Sequence, residues 1–203
     1  MNFIENETPQ KLRGGYYTAP DLASFLARWV LARGPADILE PSSGDGAFIR
    51  AVADLAPESV RRLVACELDP DEAAKSESAA ARLTDSAVQV WAGDFLTWAM
   101  QRLDTGPQPE ARESFDGVLG NPPFIRYQYL DSKLQDRAES LIRRFGLRFT
   151  KHTNAWVPFV VASMALLRPG GRLGMVVPAE LLHVLHSQSV REFLIRECST
   201  VLI

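Results

Sequence analysis

The stretch ADILEPSSGDGAFIRAVADLA, Ala36 to Ala56, decides the architecture: an apolar run of strand length, a turn carrying two glycines, then apolar residues at helical spacing. Outward from it the same alternation recurs in RRLVACEL, DEAAKSESAAARL, AVQVWAG, DFLTWAMQRL, FDGVLGNPP and, later, GRLGMVVP. Strands that alternate with helices predict an α/β fold, a doubly wound and mostly parallel sheet covered by helices on both faces. The strands are apolar at nearly every position, as burial on both sides requires. The closing STVLI predicts one more strand, and a strand without a partner there suggests a domain that continues beyond Ile203.

Bulk properties bound the rest. A chain of 203 residues, 46% hydrophobic and 23% charged, suits one domain and leaves no room for a second. The longest apolar run, Ala155 to Leu167, contains a proline and a serine and is shorter than the roughly 20 residues of a membrane span, so it predicts a buried helix. The opening MNFIENETPQKLRGG lacks the apolar core of a secretory signal, which points to the cytoplasm. Cys66 and Cys198 are far apart in apolar surroundings, predicting two core thiols rather than a disulfide or a metal site. Asp104 to Ser114 has the composition of a surface loop. Asp131 to Arg148 is a polar, Arg-rich helical pattern, expected to be a solvated helix in preference to a nucleic-acid contact.

Chemistry is expected at the strand ends. In EPSSGDGAF, Glu40 to Phe48, Gly44 and Gly46 permit a sharp turn and the close approach of a ligand, although a tight strand-to-helix turn would need the same glycines. Glu67 closes the next strand, where a carboxylate can accept from both hydroxyls of a ribose. Asp94 closes the third, where it can accept from the amino group of an adenine ring beside the face of Phe95, or cap the helix that follows. Acids at successive strand ends share the edge where open sheets bind ligands. No phosphate-binding lysine motif is present, and the acidic loop would repel phosphate. It favours a nucleoside with a positive charge, which describes S-adenosylmethionine.

FDGVLGNPPF, Phe115 to Phe124, is the most specific signal. Pro122 and Pro123 remove two backbone donors and stiffen the turn, leaving rigid acceptors and an aromatic face. The Asn121 side-chain oxygen and the Pro122 carbonyl can accept the two hydrogens of a planar amine while Phe124 stacks on its ring. A strand-terminating turn with a packed phenylalanine is the plainer alternative. Gly14 to Pro20, GGYYTAP, can supply a further wall or simply start a helix, and both can hold.

Taken in order, GGYYTAP, EPSSGDGAF, VACE, GDF, NPPF and PGGRLGMVVP resemble the gamma-class amino-methyltransferases of restriction-modification systems over nearly the whole chain. NPPFIRYQ, TNAWVPF, LLRPGGRLGMVVP and VREFL look most like the adenine-specific branch. The resemblance implies a class I, Rossmann-like methyltransferase fold over residues 1–203. It implies S-adenosylmethionine held by Thr18, Glu40, Pro41, Ser42, Gly44, Gly46, Glu67, Leu68, Asp94, Phe95 and Asn121. The base corner is Asn121, Pro122, Pro123 and Phe124, acting on a nucleotide rotated out of duplex DNA. Where the family often has an aromatic residue after the strand ending at Pro178, this chain has His186, which can stack or merely be exposed. The family also carries a separate basic recognition region, absent here. The formal net charge of -3 is therefore expected of a catalytic portion whose DNA-reading part lies elsewhere. Methylation of a protein glutamine or an RNA base, and a non-catalytic cofactor-binding subunit, are the alternatives. A monomer is favoured.

Overall fold

The computed structural model describes residues 17–203 apart from 35, 85, 105–113, 126–131 and 151–152, and at His186 it describes the backbone only. The chain runs α1 (Pro20–Leu31), β1 (Ala36–Glu40), α2 (Ala47–Leu55), β2 (Val60–Glu67), α3 (Pro70–Ala80), β3 (Ala87–Ala92), α4 (Phe95–Leu103) and β4 (Phe115–Gly120). It continues through α5 (Ser132–Arg144), α6 (Trp156–Ala165), β5 (Leu167–Met175), α7 (Glu180–His183) and α8 (Gln188–Glu197). The five strands form one sheet in the order β3-β2-β1-β4-β5, and every paired neighbour is parallel. This is the doubly wound sheet expected from the alternation.

Side chains that alternate along a strand feed opposite faces. Ile38, Leu63, Ala65 and Leu119 pack with the apolar sides of α1, α2 and α3, whereas Leu39, Val64, Cys66 and Val118 pack with those of α4, α5 and α6. Local chemistry sets the helix starts. Asp69 caps α3, accepting from the Asp71 and Glu72 amides at 2.9 and 3.4 Å, with Pro70 at the first turn, where its missing N–H costs nothing. At the opposite edge from the strand tips, Arg168 binds Asp116 at 2.7 Å and Asp37 at 2.8 Å, and Arg61 reaches Asp116 at 2.6 Å. That network staples β1, β2, β4 and β5 together.

Four expectations need correction. Strand β3 is an edge strand, its residues exposed or only half-buried, because one flank of it pairs with nothing among the described residues. Residues 199–203 join no strand: Val201, Leu202 and Ile203 are exposed and outside the sheet, and strand propensity without a pairing partner forms none. Cys198 is half-buried rather than a core thiol, whereas Cys66 is buried. The Arg-rich segment is not solvated all round: α5 buries Ala138, Leu141 and Ile142, so its charges occupy one side of an amphipathic helix. The surface loop expected after Asp104 lies at 105–113, outside the described residues. The apolar run does form a buried helix, α6.

Candidate active site

Parallel pairing brings the tips of β1, β2, β3 and β4 to one edge, and strand order reverses about β1, which lies between β2 and β4. Loops leaving on either side of such a reversal diverge and open a crevice. A cleft of about 340 Å3 occupies it. Its walls are Tyr17, Thr18, Pro41 to Asp45, Ala47, Phe48, Glu67 to Asp69, Glu72, Gly93 to Leu96, Asn121, Pro123, Ile125, Leu134, Ala155 and Phe159.

The floor is backbone. Gly44 has φ +52°, and a Cβ there would meet nothing within 4 Å, so the loop presents bare main chain to the cleft. Gly46 has φ +83°, and a Cβ there would come within 2.9 Å of Ala79 Cβ and 3.2 Å of Ser76 Cα, so α3 can pack closely on the turn only without a side chain. The Ser43 amide donates to the Cys66 carbonyl at 3.0 Å, and Ser76 Oγ donates to the Gly44 carbonyl at 2.9 Å. The loop is thus held from β2 and from α3.

Glu67 sits at the tip of β2 with both oxygens engaged: Oε2 accepts from the Gly44 amide at 2.8 Å and Oε1 from the Asp69 amide at 2.9 Å. A carboxylate oxygen has lone-pair capacity for more than one donor, so these bonds orient Glu67 without using it up. Asp94 caps α4, accepting from the Leu96 and Thr97 amides at 3.3 and 2.8 Å and from the Thr97 hydroxyl, and Arg137 of α5 approaches it to 3.7 Å. Capping and cleft-lining coexist there. Phe95 is buried, its ring 5.1 Å from that of Phe159, so the two make an apolar wall beside Asp94.

Asn121 follows β4. Its Nδ2 donates to Thr18 Oγ1 at 3.2 Å, and its backbone carbonyl accepts from Ser42 Oγ at 3.1 Å. One asparagine therefore joins the glycine loop, the β4 tip and the segment before α1. Thr18, Pro41, Ser42, Gly44, Glu67, Leu68, Asp94, Phe95, Asn121 and Pro123 all line the cleft. Glu40, Gly46, Pro122 and Phe124 are not among the lining residues: Pro122 is buried, and Phe124, half-buried, packs against the core cluster of α4, α5 and α6. His186 has its backbone in the short 3-10 turn Leu185–Ser187, and its side chain lies outside the description.

Glu40 is the electrostatic anomaly. It is 1% exposed, and neither carboxylate oxygen finds a hydrogen-bond partner among the described residues. Burial pushes its carboxyl well above the usual range, and the negative charges of Glu67 and Asp45 push it further, against a smaller opposing pull from Arg50. Glu72, in the first turn of α3, also lines the cleft, with Oε2 buried and without a hydrogen bond among the described residues. Sequence reasoning does not single out Glu72, Leu134, Phe159 or Arg137, whereas Tyr17 belongs to the segment expected as a further wall. The signal available for Glu72 was its position one turn into the helix that follows Glu67. The acids make a wall that disfavours phosphate and suits a cation. Among the described residues no cluster of His, Cys, Asp and Glu could hold a metal ion.

Comparison with known proteins identifies the family. Over 191 residues the chain is 32% identical to the type II methyltransferase M.TthHB8I of Thermus thermophilus, covering 92% of this chain and 40% of that protein. It is 27% identical to M.BanIII of Aneurinibacillus aneurinilyticus, covering 91% of this chain and 34% of the relative. The chain thus spans about a third to two fifths of the length of these relatives. Among solved structures, a type I restriction-modification methyltransferase subunit from Streptococcus thermophilus superposes with a TM-score of 0.65 at 19% identity, over 90% of this chain and 39% of that one. A candidate class I S-adenosylmethionine-dependent methyltransferase from Listeria monocytogenes gives 0.62 at 18%, over 87% and 50%. The fold is accordingly the class I, Rossmann-like fold of S-adenosylmethionine-dependent methyltransferases. The family model of the Eco57I restriction-modification methylase matches residues 53–203, well over half of the sequence, and the chain belongs to that family.

Proposed function

We propose that residues 1–203 are the cofactor-binding and catalytic portion of an enzyme that moves a methyl group from S-adenosylmethionine to the exocyclic amino group of an adenine rotated out of duplex DNA. The observation that carries this reading is Asn121, bonded to Ser42 and Thr18 within one cleft that Glu67 and Asp94 also line. The restriction-modification description of the family favours DNA as substrate. The adenine branch rests on the NPPF resemblance.

The residues fit the cofactor. Glu67, with both oxygens already oriented, suits a ribose diol; Asp94 beside Phe95 and Phe159 suits an adenine ring with an amino group. The orphaned carboxylate of Glu40, at the base of the acidic loop, suits a nearby positive charge. S-adenosylmethionine, held by Glu67, Asp94 and Phe95, would supply an electrophilic methyl on a positively charged sulfur, the leaving group for attack by an amine.

The contribution of the chain itself is positioning. An aromatic amine is a weak nucleophile because its lone pair is delocalised into the ring. Acceptors at Asn121 Oδ1 and the Pro122 carbonyl, set off the ring plane, favour the pyramidal nitrogen that attacks. The amine becomes cationic on methylation and afterwards loses a proton to solvent, so no side chain need act as a base at the outset. Pro122 and Pro123 keep the corner rigid. Duplex DNA as partner and the cytoplasm as compartment complete this reading.

The test is a labelled-methyl assay on the full-length protein, offered duplex DNA, ribosomal RNA and protein separately. Label at adenine N6 of the DNA is the expected result. Label only on protein or RNA would replace the DNA reading, and cofactor binding without transfer to anything would leave a binding subunit.

A further inference from the structure

Tyr17 and Thr18 are adjacent in sequence yet bond to opposite walls of the cleft. Tyr17 donates its hydroxyl to Glu72 Oε1 on α3 at 3.4 Å, the same oxygen that receives Lys75 Nζ at 2.7 Å. Thr18 Oγ1 accepts from Asn121 Nδ2 at 3.2 Å at the tip of β4. Two consecutive residues therefore bridge the side of the cleft formed by β2 and α3 to the corner where the amine would sit.

An asparagine amide has two ends of similar shape and opposite hydrogen-bonding sense, and only one can accept from an amine. With Nδ2 donating to Thr18, Oδ1 is turned away from Thr18, and the hydrogen bond holds the plane of the amide in that setting. We propose that Thr18 is a positioning residue for methyl transfer, fixing the acceptor end of the Asn121 amide, and that the Tyr17–Glu72 hydrogen bond keeps Thr18 in place across the mouth of the cleft. The inference rests on the role proposed for Asn121. It gives Thr18 a task separate from the cofactor contact that the family resemblance implies.

The tether has a physical basis. Glu72 is pre-set by the first turn of α3, whose cap Asp69 accepts from the Glu72 amide. Lys75, one turn on, holds the carboxylate against the Tyr17 hydroxyl. Tyr17 is otherwise exposed, so this hydrogen bond gives its direction a cause.

The experiment uses the full-length protein with Thr18→Val, Thr18→Ser, Tyr17→Phe and Asn121→Ala, measuring cofactor Kd by calorimetry and the single-turnover transfer rate at saturating cofactor. Valine keeps the size of threonine and removes the hydroxyl. Expected for Thr18→Val are a tenfold or greater fall in transfer rate and a Kd changed less than threefold, with Thr18→Ser within threefold of the parent in both. Tyr17→Phe should slow transfer in the same sense and by less. Combining Thr18→Val with Asn121→Ala should slow transfer no further than Asn121→Ala alone. A Thr18→Val enzyme with weakened cofactor binding and unchanged saturated rate, or a Thr18→Ser enzyme as impaired as the valine variant, would overturn the positioning role. If Asn121→Ala itself transferred methyl normally, the reading of the corner would have failed instead.

Discussion

Glu67 accepts a hydrogen bond from the Gly44 amide at 2.8 Å, so the acid at the tip of β2 holds the glycine loop that leaves β1. Strand pairing explains why they meet: Glu40 is in register with Ala65, which leaves the loop after β1 and the last residues of β2 side by side. A single carboxylate thus shapes the floor of the cleft and lines its wall.

Replacing Glu67 by Ala should therefore weaken cofactor binding on two counts. Charge-assisted hydrogen bonds are worth roughly 1.5–3 kcal/mol, which corresponds to about a ten- to hundredfold rise in Kd. The loop also loses the acceptor for the Gly44 amide, so the melting temperature without cofactor should fall as well. Calorimetry with S-adenosylmethionine checks the first effect, and an unaltered affinity would remove Glu67 from the site.

Asn121→Ala should have the opposite profile. Two of its hydrogen bonds go to Thr18 and Ser42 at the amine end proposed for the cleft, so cofactor affinity should stay within a few-fold. Transfer should fall about a hundredfold or more, the scale of losing one preorganised transition-state hydrogen bond. Equal losses in binding and transfer would contradict the division of the cleft into a cofactor part and an amine part.

The strand–helix alternation was legible because parallel pairing buries strands on both sides and leaves an apolar record at Ile38, Leu63 and Val118. The tips were legible because glycines, acids and the double proline are local chemistry. What escaped were residues whose role is tertiary. Glu72 and Arg137 look like solvated helix charges along the chain, and Glu72 reaches the cleft and Arg137 the Asp94 carboxylate only once α3 and α5 are docked on the sheet. Strand β3 and residues 199–203 misled in the other direction, since β-propensity does not say whether a neighbour will pair. Phe124 packs against the cluster of α4, α5 and α6, a contact that depends on where α5 and α6 lie.

Glu40 makes stability depend on pH. The folded protein holds its carboxyl above the ordinary value of 4.5, so the folded state binds more protons than the unfolded chain as pH rises past that value. Stability from this group is therefore fully present below about pH 4.5 and declines upward until the folded carboxyl itself ionises. Glu40→Gln removes the dependence while keeping the shape. Its melting temperature relative to the parent should rise between acid and neutral pH, a trend readable by calorimetric scans of both proteins at several pH values. A constant difference across that range would mean that Glu40 ionises in the fold as easily as in the unfolded chain.

Gly46 tests whether the turn after β1 needs glycine for space as well as for conformation. At φ +83° a Cβ carries roughly the 1–2 kcal/mol penalty of left-handed backbone, and here it would also press to 2.9 Å from Ala79 Cβ and 3.2 Å from Ser76 Cα. Overpacking of that kind costs about 1–3 kcal/mol more. Gly44, with φ +52° and open space around its missing Cβ, shares only the first cost. Gly46→Ala should therefore lower unfolding stability more than Gly44→Ala does, measured by urea titration. Gly44→Ala should in turn do more harm to cofactor affinity, because its methyl would project from the wall that Gly44 contributes to the cleft. The two effects should cross over, and two alanine variants with the same ratio of stability loss to affinity loss would show that these glycines do not divide the work between packing and ligand approach.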